Sequence, residues 1–399
     1  MRPVKILYVT PWCVDPPKSA SEARALSIAR ALQQVGNVEV ALVRPDPPNA
    51  HTAIADTCPF PIACDLNVTT LANSSWIRKA KWILEPRLPH PHGVGVDEHG
   101  AQLFRNVARA FDLVWFHKVR TANMFSDWEW PQSVVDVDDV SSQFERSMIS
   151  STMSAPKQLA TWLRVWSWRR REQLLGERFK ILAVCSEVDK RYLTRLGVSA
   201  PIRVIPNGYD RPAVPPARRL ASPPRLGFIG VFDHAPNVEG MNWFTEHCWP
   251  QIKRRIPEAR LRLVGRFTDG DLKPAGPDID ALGYLPYPNE EMATWSAMVV
   301  PIRAGAGTRG KIAHAFSQKC PVVSTGLGAL GYEPIHGREM LLGESGHEFA
   351  DACILAIQQP LVAAEMAERA WNQFLKSWTW DGIGSQIRRT AEECLAASR

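Results

Sequence analysis

The stretch 301–325, PIRAGAGTRGKIAHAFSQKCPVVST, combines residue types that bind an anion. Its order predicts the end of a strand, a glycine loop, a helix and the next strand. Gly305, Gly307 and Thr308 place backbone N–H groups beside the start of the helix, and Lys311 adds a cation. Because free amides at a helix N-terminus and the helix dipole both favour negative charge, the stretch predicts a site for a phosphorylated ligand. The alternative is a solvated lysine at the start of a surface helix.

Carboxylates form a second group of chemical interest, in the run VVDVDDV. Asp136, Asp138 and Asp139 end a predicted strand, and clustered carboxylates suit magnesium or manganese bridging a diphosphate. Loop capping and acceptor polarity are the alternative roles, which we favour. The eight cysteines are scattered without a CxxC motif or a Cys/His spacing of a zinc site.

Composition limits the classes of protein that fit. A chain of 399 residues with 45% hydrophobic and 22% charged residues is typical of a two-domain globular enzyme. A formal charge of +6 suits a small acidic ligand or an anionic membrane surface and is too small to indicate nucleic acid. Because no run of about 18 apolar residues occurs, we expect a cytoplasmic protein, with peripheral contact at the inner face of the membrane left open.

Strand patterns alternate with helical patterns in both halves, which predicts parallel sheets that bind ligands at the carboxyl ends of their strands. Residues 48–100 have a loop-rich pattern, and the proline- and arginine-rich residues 209–224 predict an interdomain linker. The predicted strands are 5–10, 38–45, 112–117, 133–139, 181–186, 202–207, 225–232, 260–266, 279–286, 297–303 and 321–325.

Residues 158–179, QLATWLRVWSWRRREQLLGERF, are rich in tryptophan and arginine at helical spacing. Leu159, Leu163 and Trp166 share one face of such a helix, a composition that suits an anionic bilayer. Apolar residues nevertheless occur all round the segment. We therefore favour a buried helix with a charged end.

Six segments of the chain follow one another in a recognisable order. They are IRVIPNGYD (202–210), RLGFIGVFDHAPNVEGMNWF (225–244), RLVGR (262–266), ALGYLP (281–286), VVPIRAGAGTRGKIAHAF (299–316) and PVVSTGLGALGYE (321–333). This ordered set resembles the family-4-type retaining glycosyltransferases, of glycosyl transferases group 1 in the GT-B superfamily. The resemblance spans nearly the whole chain and is strongest over 200–335.

The resemblance implies an α/β fold of the GT-B type, with two facing Rossmann-like domains, parallel sheets and a deep interdomain cleft. Residues 1–208 would form the acceptor-side domain and 225–375 the nucleotide-sugar-binding domain. Between them lies the linker 209–224, and 376–399 would form a helix that crosses back to the first domain.

The resemblance also implies roles for particular residues. Arg309 and Lys311 would hold the diphosphate and stabilise its growing charge, and His117, at a strand exit, would touch the transferred sugar. We expect His117 to be exposed there, with a structural histidine as the alternative. The remaining donor-binding residues would be Gly305, Gly307, Thr308, His314, Asn237, Arg266, Tyr284, Leu285 and Glu333.

The sequence departs from the family pattern at several of these positions. An acidic pair normally flanks the glycine loop, but His314 occupies the second position and Arg303-Ala304 offers no carboxylate for the first. His314 is either a ribose ligand or a packed helix histidine. Asn237 is either a diphosphate neighbour or a helix N-cap, and we favour the cap.

The predicted function is a retaining hexosyltransferase. It would move a sugar from a UDP- or GDP-sugar to a glycan, lipid-linked or small-molecule hydroxyl acceptor, in polysaccharide or glycoconjugate synthesis. No cofactor, metal or nucleic acid is expected. The alternatives are a non-catalytic nucleotide-sugar-binding scaffold of a polysaccharide assembly complex, and a nucleotide-sugar epimerase on the same fold.

Overall fold

The computed structural model describes residues 2–17, 19–45, 57–70, 76–88, 94–149, 153–214, 216–267 and 276–397. The chain divides into two compact units. Unit 1 comprises Met1–Pro206 and Ile383–Arg399, and unit 2 comprises Asn207–Gly382. The C-terminal segment therefore groups with the N-terminal unit, and the division falls after Gly382.

The described residues of unit 1 form one sheet in the order β4-β3-β2-β1-β5-β6-β7-β8. All neighbouring strands pair in parallel except β3 and β4, which are antiparallel. The strands are β1 (Lys5–Thr10), β2 (Asn37–Pro45), β3 (Ile62–Thr70), β4 (Val94–Val96), β5 (Leu113–Phe116), β6 (Trp130–Asp136), β7 (Phe179–Val184) and β8 (Ile202–Val204).

Helices connect these strands, as parallel pairing requires. They are α1 (Ala20–Leu32), α2 (Trp76–Leu84), α3 (Glu98–Ala108), α4 (Val119–Ala122), α5 (Ser141–Ser147), α6 (Ala155–Gln173), α7 (Leu175–Arg178) and α8 (Glu187–Arg195). Ser19 starts α1, because its side chain accepts a hydrogen bond from the backbone N–H of Glu22.

The prediction of a loop-rich region over 48–100 is wrong where the structure describes strands and helices, and residues 48–56, 71–75 and 89–93 lie outside the described residues. Strand β3 pairs with β2, and α3 begins inside the region. The reason is visible in β3, where Cys64, Leu66 and Val68 are buried and alternate with polar residues. Such alternation marks a half-buried strand, although the surrounding prolines and polar residues obscure it.

The favoured prediction of a buried helix over 158–179 is also wrong in part. One face of α6 is buried through Thr161 and Val165. The other face leaves Leu159, Trp162 and Trp166 exposed. Apolar residues all round this helix therefore do not mean burial all round.

Unit 2 contains a second sheet, in the order β11-β10-β9-β12-β13-β14, with parallel pairing throughout its described strands. The strands are β9 (Arg225–Ile229), β10 (Arg260–Val264), β11 (Ile279–Ala281), β12 (Ala297–Val300), β13 (Val322–Ser324) and β14 (Leu341–Leu342). Apolar residues of both sheet faces pack against helices, as in an α/β domain.

The helices of unit 2 are α9 (Ala235–Trp243), α10 (Trp249–Arg255), α11 (Pro288–Met292), α12 (Gly310–Ser317), α13 (Gly346–Gln358) and α14 (Pro360–Ser377), followed by α15 (Trp380–Ala396), which runs into unit 1. A π-helical turn, Phe244–Cys248, joins α9 to α10. The fold class is confirmed: the protein is α/β with two units built on largely parallel sheets.

Hydrogen bonds hold part of the predicted linker 209–224 on unit 2. Arg218 donates to the carbonyls of Met292 and Trp295, and the backbone N–H of Arg219 donates to Ala293 O over 2.9 Å. The segment has few apolar residues to bury. Its arginines instead bond to carbonyls that the end of α11 leaves free.

In the described residues, no helix combines the length and the hydropathy needed to cross a bilayer.

Candidate functional site

The glycine loop lies between the end of β12 and the start of α12, as the sequence predicts. Gly305 and Gly307 have φ angles of 117° and 71°, a region in which side chains are strained. Arg309 is the N-cap residue of α12, and its side chain does not cap the helix. Of the first amides of α12, that of Ile312 donates to Arg309 O over 2.9 Å and that of Ala313 donates to Tyr332 OH over 3.2 Å. An anion above the loop would therefore bind the amides that precede them.

Lys311 is a cation of unit 2 that lies among neutral groups. Its Nζ donates to Asn237 Oδ1 over 2.9 Å and lies 3.9 Å from the centroid of the Phe228 ring. Both partners are neutral, and no described carboxylate forms an ion pair with this side chain. Burial, and next the charge of Arg309, lower the pKa of Lys311 well below its usual value. A group in this state gains from the arrival of a negative ligand.

Asn237 explains how Lys311 is held. Its Nδ2 donates to Val231 O over 2.8 Å, which directs its Oδ1 to the lysine. The favoured prediction of an N-cap is wrong, because His234 is the N-cap residue and Asn237 lies within α9. The sequence analysis missed Phe228 and the Asn237–Lys311 bond, since nothing in the chain order brings β9 and α12 together.

Arg309 bonds to its own loop. Its Nη1 donates to the carbonyls of Ala306 and Gly307, and its carbonyl accepts from Tyr332 OH over 2.9 Å. The neighbouring Thr308 accepts a 2.9 Å hydrogen bond from Asn207 Nδ2. These contacts hold the loop in shape. A direct contact of Arg309 with a phosphate stays a prediction.

Arg309 and Lys311 both act on His234, at the end of the neighbouring loop. Burial, then the positive charge of Lys311 and Arg309, lowers the pKa of His234. The histidine thus lies within the field of both cations, and no motif of the sequence indicated it. Asp233, in the same loop as His234, acts in the opposite direction and raises that pKa.

Glycines also mark the carboxyl ends of β9, β10 and β11. A Cβ on Gly265 would lie 1.9 Å from Gly230 O, so only glycine fits there. The Gly265 N–H donates to Gly283 O over 2.8 Å, which aligns the strand ends. Arg266 and Tyr284 follow these glycines and are exposed, and Leu285 is half-buried. These three residues lie at the predicted edge, and their contact with a nucleobase stays a prediction.

His314 is buried on α12. Its Nε2 lies 2.6 Å from Asn289 Oδ1, and its ring stacks on Tyr209 with centroids 4.4 Å apart. Burial lowers the pKa of His314 to about 4, so the ring is neutral near pH 7. The packing matches the structural interpretation of this histidine, and ribose recognition stays a prediction. Glu333 is exposed, with a φ of 46°.

His117 follows β5 in unit 1, where its backbone N–H donates to Val9 O over 2.8 Å. The prediction of an exposed side chain is wrong, because the residue is fully buried. Its Nε2 lies 3.5 Å from Ser21 Oγ. Burial, and next the charge of Lys118, lowers the pKa of His117 to about 3. A role at the transferred sugar stays a prediction.

The carboxylates near His117 are paired with cations. Asp136 receives two 2.7 Å hydrogen bonds from the buried guanidinium of Arg24, and Lys118 Nζ lies 2.7 Å from Asp138 Oδ2. Burial would raise the pKa of Asp138, but Lys118 and then Arg24 lower it below the usual value. In the described residues no cluster of three acidic, histidine or cysteine side chains has the arrangement of a metal site. The sequence analysis missed the Arg24–Asp136 pair.

The structure therefore brings together Asn237, Arg309, Lys311 and the loop glycines in unit 2, and sequence comparison covers the same part of the chain. Residues 223–359 match the family described as glycosyl transferases group 1. The similarity to that family therefore lies in this part of the chain. The resemblance to this group is confirmed over that range.

A second sequence similarity is to an uncharacterized 44.6 kDa protein in the cps region of Klebsiella pneumoniae. The two are 26% identical over 157 residues, which is 37% of this chain and 40% of that relative. The match thus spans well under two thirds of the relative's length.

Solved structures are similar to this chain over nearly its whole length. Sucrose-phosphate synthase from Thermosynechococcus elongatus is similar with a TM-score of 0.66 at 15% identity, over 98% of this chain and 100% of that chain. HepE of Anabaena, in complex with UDP-glucose, is similar with a TM-score of 0.62 at 15% identity, over 98% and 99%. At this level of identity the likeness shows the GT-B fold.

Proposed function

We propose that the protein is a glycosyltransferase that moves a hexose from a nucleoside diphosphate sugar, UDP- or GDP-linked, to a hydroxyl acceptor. The observation that carries the proposal is Lys311, a cation held by neutral partners beside the glycine loop of the part of the chain that matches glycosyl transferases group 1. The UDP-glucose bound by the structurally similar HepE supports a nucleotide-sugar donor.

The proposed roles of the residues follow from the negative charge that develops on the diphosphate during sugar transfer. Breaking the bond between sugar and diphosphate leaves negative charge on the leaving oxygens, and Lys311 with the amides of α12 would stabilise that charge as it grows. We propose retention of configuration, with the leaving phosphate accepting the proton of the acceptor hydroxyl. This route needs no protein carboxylate as nucleophile and no metal. The pairing of Asp136 and Asp138 with cations supports a metal-free reaction.

The acceptor is proposed as a hydroxyl of a growing glycan, a lipid-linked glycan or a small molecule, in polysaccharide or glycoconjugate synthesis. The relative in the cps region and the resemblance stated above support this class without defining the linkage.

A thermal-shift screen of the full chain against UDP, GDP, ADP and dTDP tests the proposal. A ligand that binds only the folded state raises the melting temperature. We expect UDP or GDP to raise it, Lys311→Ala to diminish the response, and Lys376→Ala, at an exposed lysine of α14, to keep it. Equal melting with all four nucleotides would contradict the assigned pocket.

Turnover separates the transferase from the alternatives. The chain is incubated with the UDP- or GDP-sugar whose nucleotide raised the melting temperature, with and without glycan acceptors. Release of the nucleotide together with transfer or slow hydrolysis of the sugar supports the proposal. Interconversion of the sugar without release indicates an epimerase, and tight binding without any reaction indicates a scaffold.

A further inference from the structure

Helix α6 carries an unusual exposed surface. Leu159, Trp162, Leu163 and Trp166 are spaced as neighbours on one helix face and are 63%, 48%, 45% and 46% exposed. We name these four residues the apolar stripe. Single exposed apolar residues are ordinary, but a contiguous row with two tryptophans marks an interaction surface.

The apolar stripe is continuous with the end of α2. The Arg170 guanidinium lies 4.6 Å from the Trp166 ring centroid and donates to Leu84 O over 2.9 Å. Leu84 is itself 66% exposed. Arg171 donates to the carbonyls of Trp82 and Glu85, so α2 and α6 are held together by charge-assisted hydrogen bonds.

The charge of these two helices is predominantly positive. Helix α6 contains five basic residues and one acidic residue, and α2 contains three basic residues and no acidic residue. The acidic residue of α6, Glu172, is buried and bonded to Ser142, and burial raises its pKa to about 7. Lys81, on α2, and Arg169, on α6, are exposed. The positive charge of α2 and α6 alone thus exceeds the net charge of +6 of the whole chain.

We propose that this surface docks on an anionic phospholipid bilayer, with α6 lying in the plane of the interface. Tryptophan and leucine side chains would enter the boundary between headgroups and acyl chains, and the lysine and arginine side chains would meet the anionic headgroups. A second copy of the chain is the competing occupant. A symmetric pair would place these like-charged helices against each other, which charge repulsion opposes.

Co-sedimentation of the full chain with vesicles tests the proposal. One set contains phosphatidylcholine with about one third phosphatidylglycerol, and the other contains phosphatidylcholine alone. We expect binding to the anionic set that is lost at about 1 M salt, where the Debye length falls to about 3 Å. Trp162→Ala combined with Trp166→Ala should lower the partition coefficient about tenfold or more.

Charge is tested separately. Lys81→Gln combined with Arg169→Gln should lower partitioning by about fivefold per residue. Two control variants lie in unit 2 at exposed positions: Leu361→Ala with Val362→Ala, and Arg254→Gln with Arg255→Gln. Both should bind vesicles as the wild type does. Their helical content and melting temperature, measured beside the test variants, show that all the chains fold.

Three results would overturn the proposal. The first is equal partitioning into both vesicle sets or into neither. The second is wild-type binding by the double tryptophan variant. The third is a dimer in sedimentation velocity that dissociates in that variant, which would assign the apolar stripe to a second copy of the chain.

Discussion

The cations at the carboxyl ends of the two sheets have opposite kinds of partner: carboxylates in unit 1 and neutral groups in unit 2. In unit 1, Arg24 and Lys118 each meet a carboxylate, Asp136 and Asp138. In unit 2, Lys311 meets an amide oxygen and an aromatic ring. A buried cation that is already paired serves the fold, whereas a cation among neutral groups has electrostatic attraction left for a ligand. The comparison favours the prediction that unit 2 is the anion-binding half, without reference to any relative.

The largest effect should follow from breaking the paired cluster. Asp136→Asn deprives the buried Arg24 guanidinium of its hydrogen-bonded counter-charge, which should lower the free energy of unfolding by about 3–5 kcal/mol. Urea unfolding measures the loss. Glu368→Gln, at an exposed carboxylate that pairs with Lys319 in unit 2, is the matched control and should cost about 1 kcal/mol or less. Similar losses in both variants would contradict the distinction between the two units.

The neutral surroundings of Lys311 predict that its removal lowers activity without lowering stability. Burial lowers its pKa relative to the unfolded chain, so the unfolded state binds more protons and the charged form opposes folding. Lys311→Met should therefore melt at the same or a higher temperature without ligand. Release of UDP from a UDP-sugar should nevertheless slow by about 10²–10³-fold, as on loss of a group that stabilises developing charge.

Single-turnover kinetics and a melting curve of the same Lys311→Met preparation check both expectations. A loss confined to KM, with kcat unchanged, would mean that the lysine binds the ground state and the transition state equally well.

The buried His117 makes unit 1 sensitive to acid. Its pKa is about 3 in the folded chain and about 6.5 when unfolded, so the unfolded state binds more protons between these values. The stability contributed by the neutral ring is present above pH 6.5 and is lost as the pH falls. Between about pH 7 and pH 5 the wild type should lose about 2 kcal/mol from this group. Urea unfolding at the two pH values measures this decrease in the free energy of unfolding. In His117→Gln the contribution of the histidine to the decrease should be absent. An identical pH dependence in both proteins would refute the burial of a neutral ring.

The smallest expected effect comes from making unit 2 resemble unit 1. Asn237→Asp gives Lys311 a carboxylate partner, which should raise the pKa of the lysine and weaken UDP binding about tenfold, or about 1.4 kcal/mol. Titration calorimetry measures the affinity. Asn237→Ala is the control, because it also removes the bond to Val231 O but adds no charge. Tighter binding in the aspartate variant than in the alanine variant would argue against the neutral environment as the source of affinity.

Most strands and the glycine loop could be predicted from the amino-acid sequence. Strands such as β1, β2 and β12 were predicted within a few residues, because runs of β-branched and apolar residues can be buried only in a sheet. The glycine loop was predicted because positive φ angles at Gly305 and Gly307 need glycine. Strand β3 was missed because its polar, proline-flanked alternation is weak until β2 pairs with it.

The sequence by itself determined the α/β class, the position of the glycine loop and the presence of Lys311 at the first turn of α12, since these depend on neighbours in the chain. Only the tertiary structure decided the partners of each charge. Arg24 and Asp136 are 112 residues apart in sequence, and Asn237 and Lys311 are 74 apart, and both contacts exist because parallel strands end at one edge. Whether a cation serves the fold or awaits a ligand depends on those distant partners, because burial and Coulomb interactions act through space rather than along the chain.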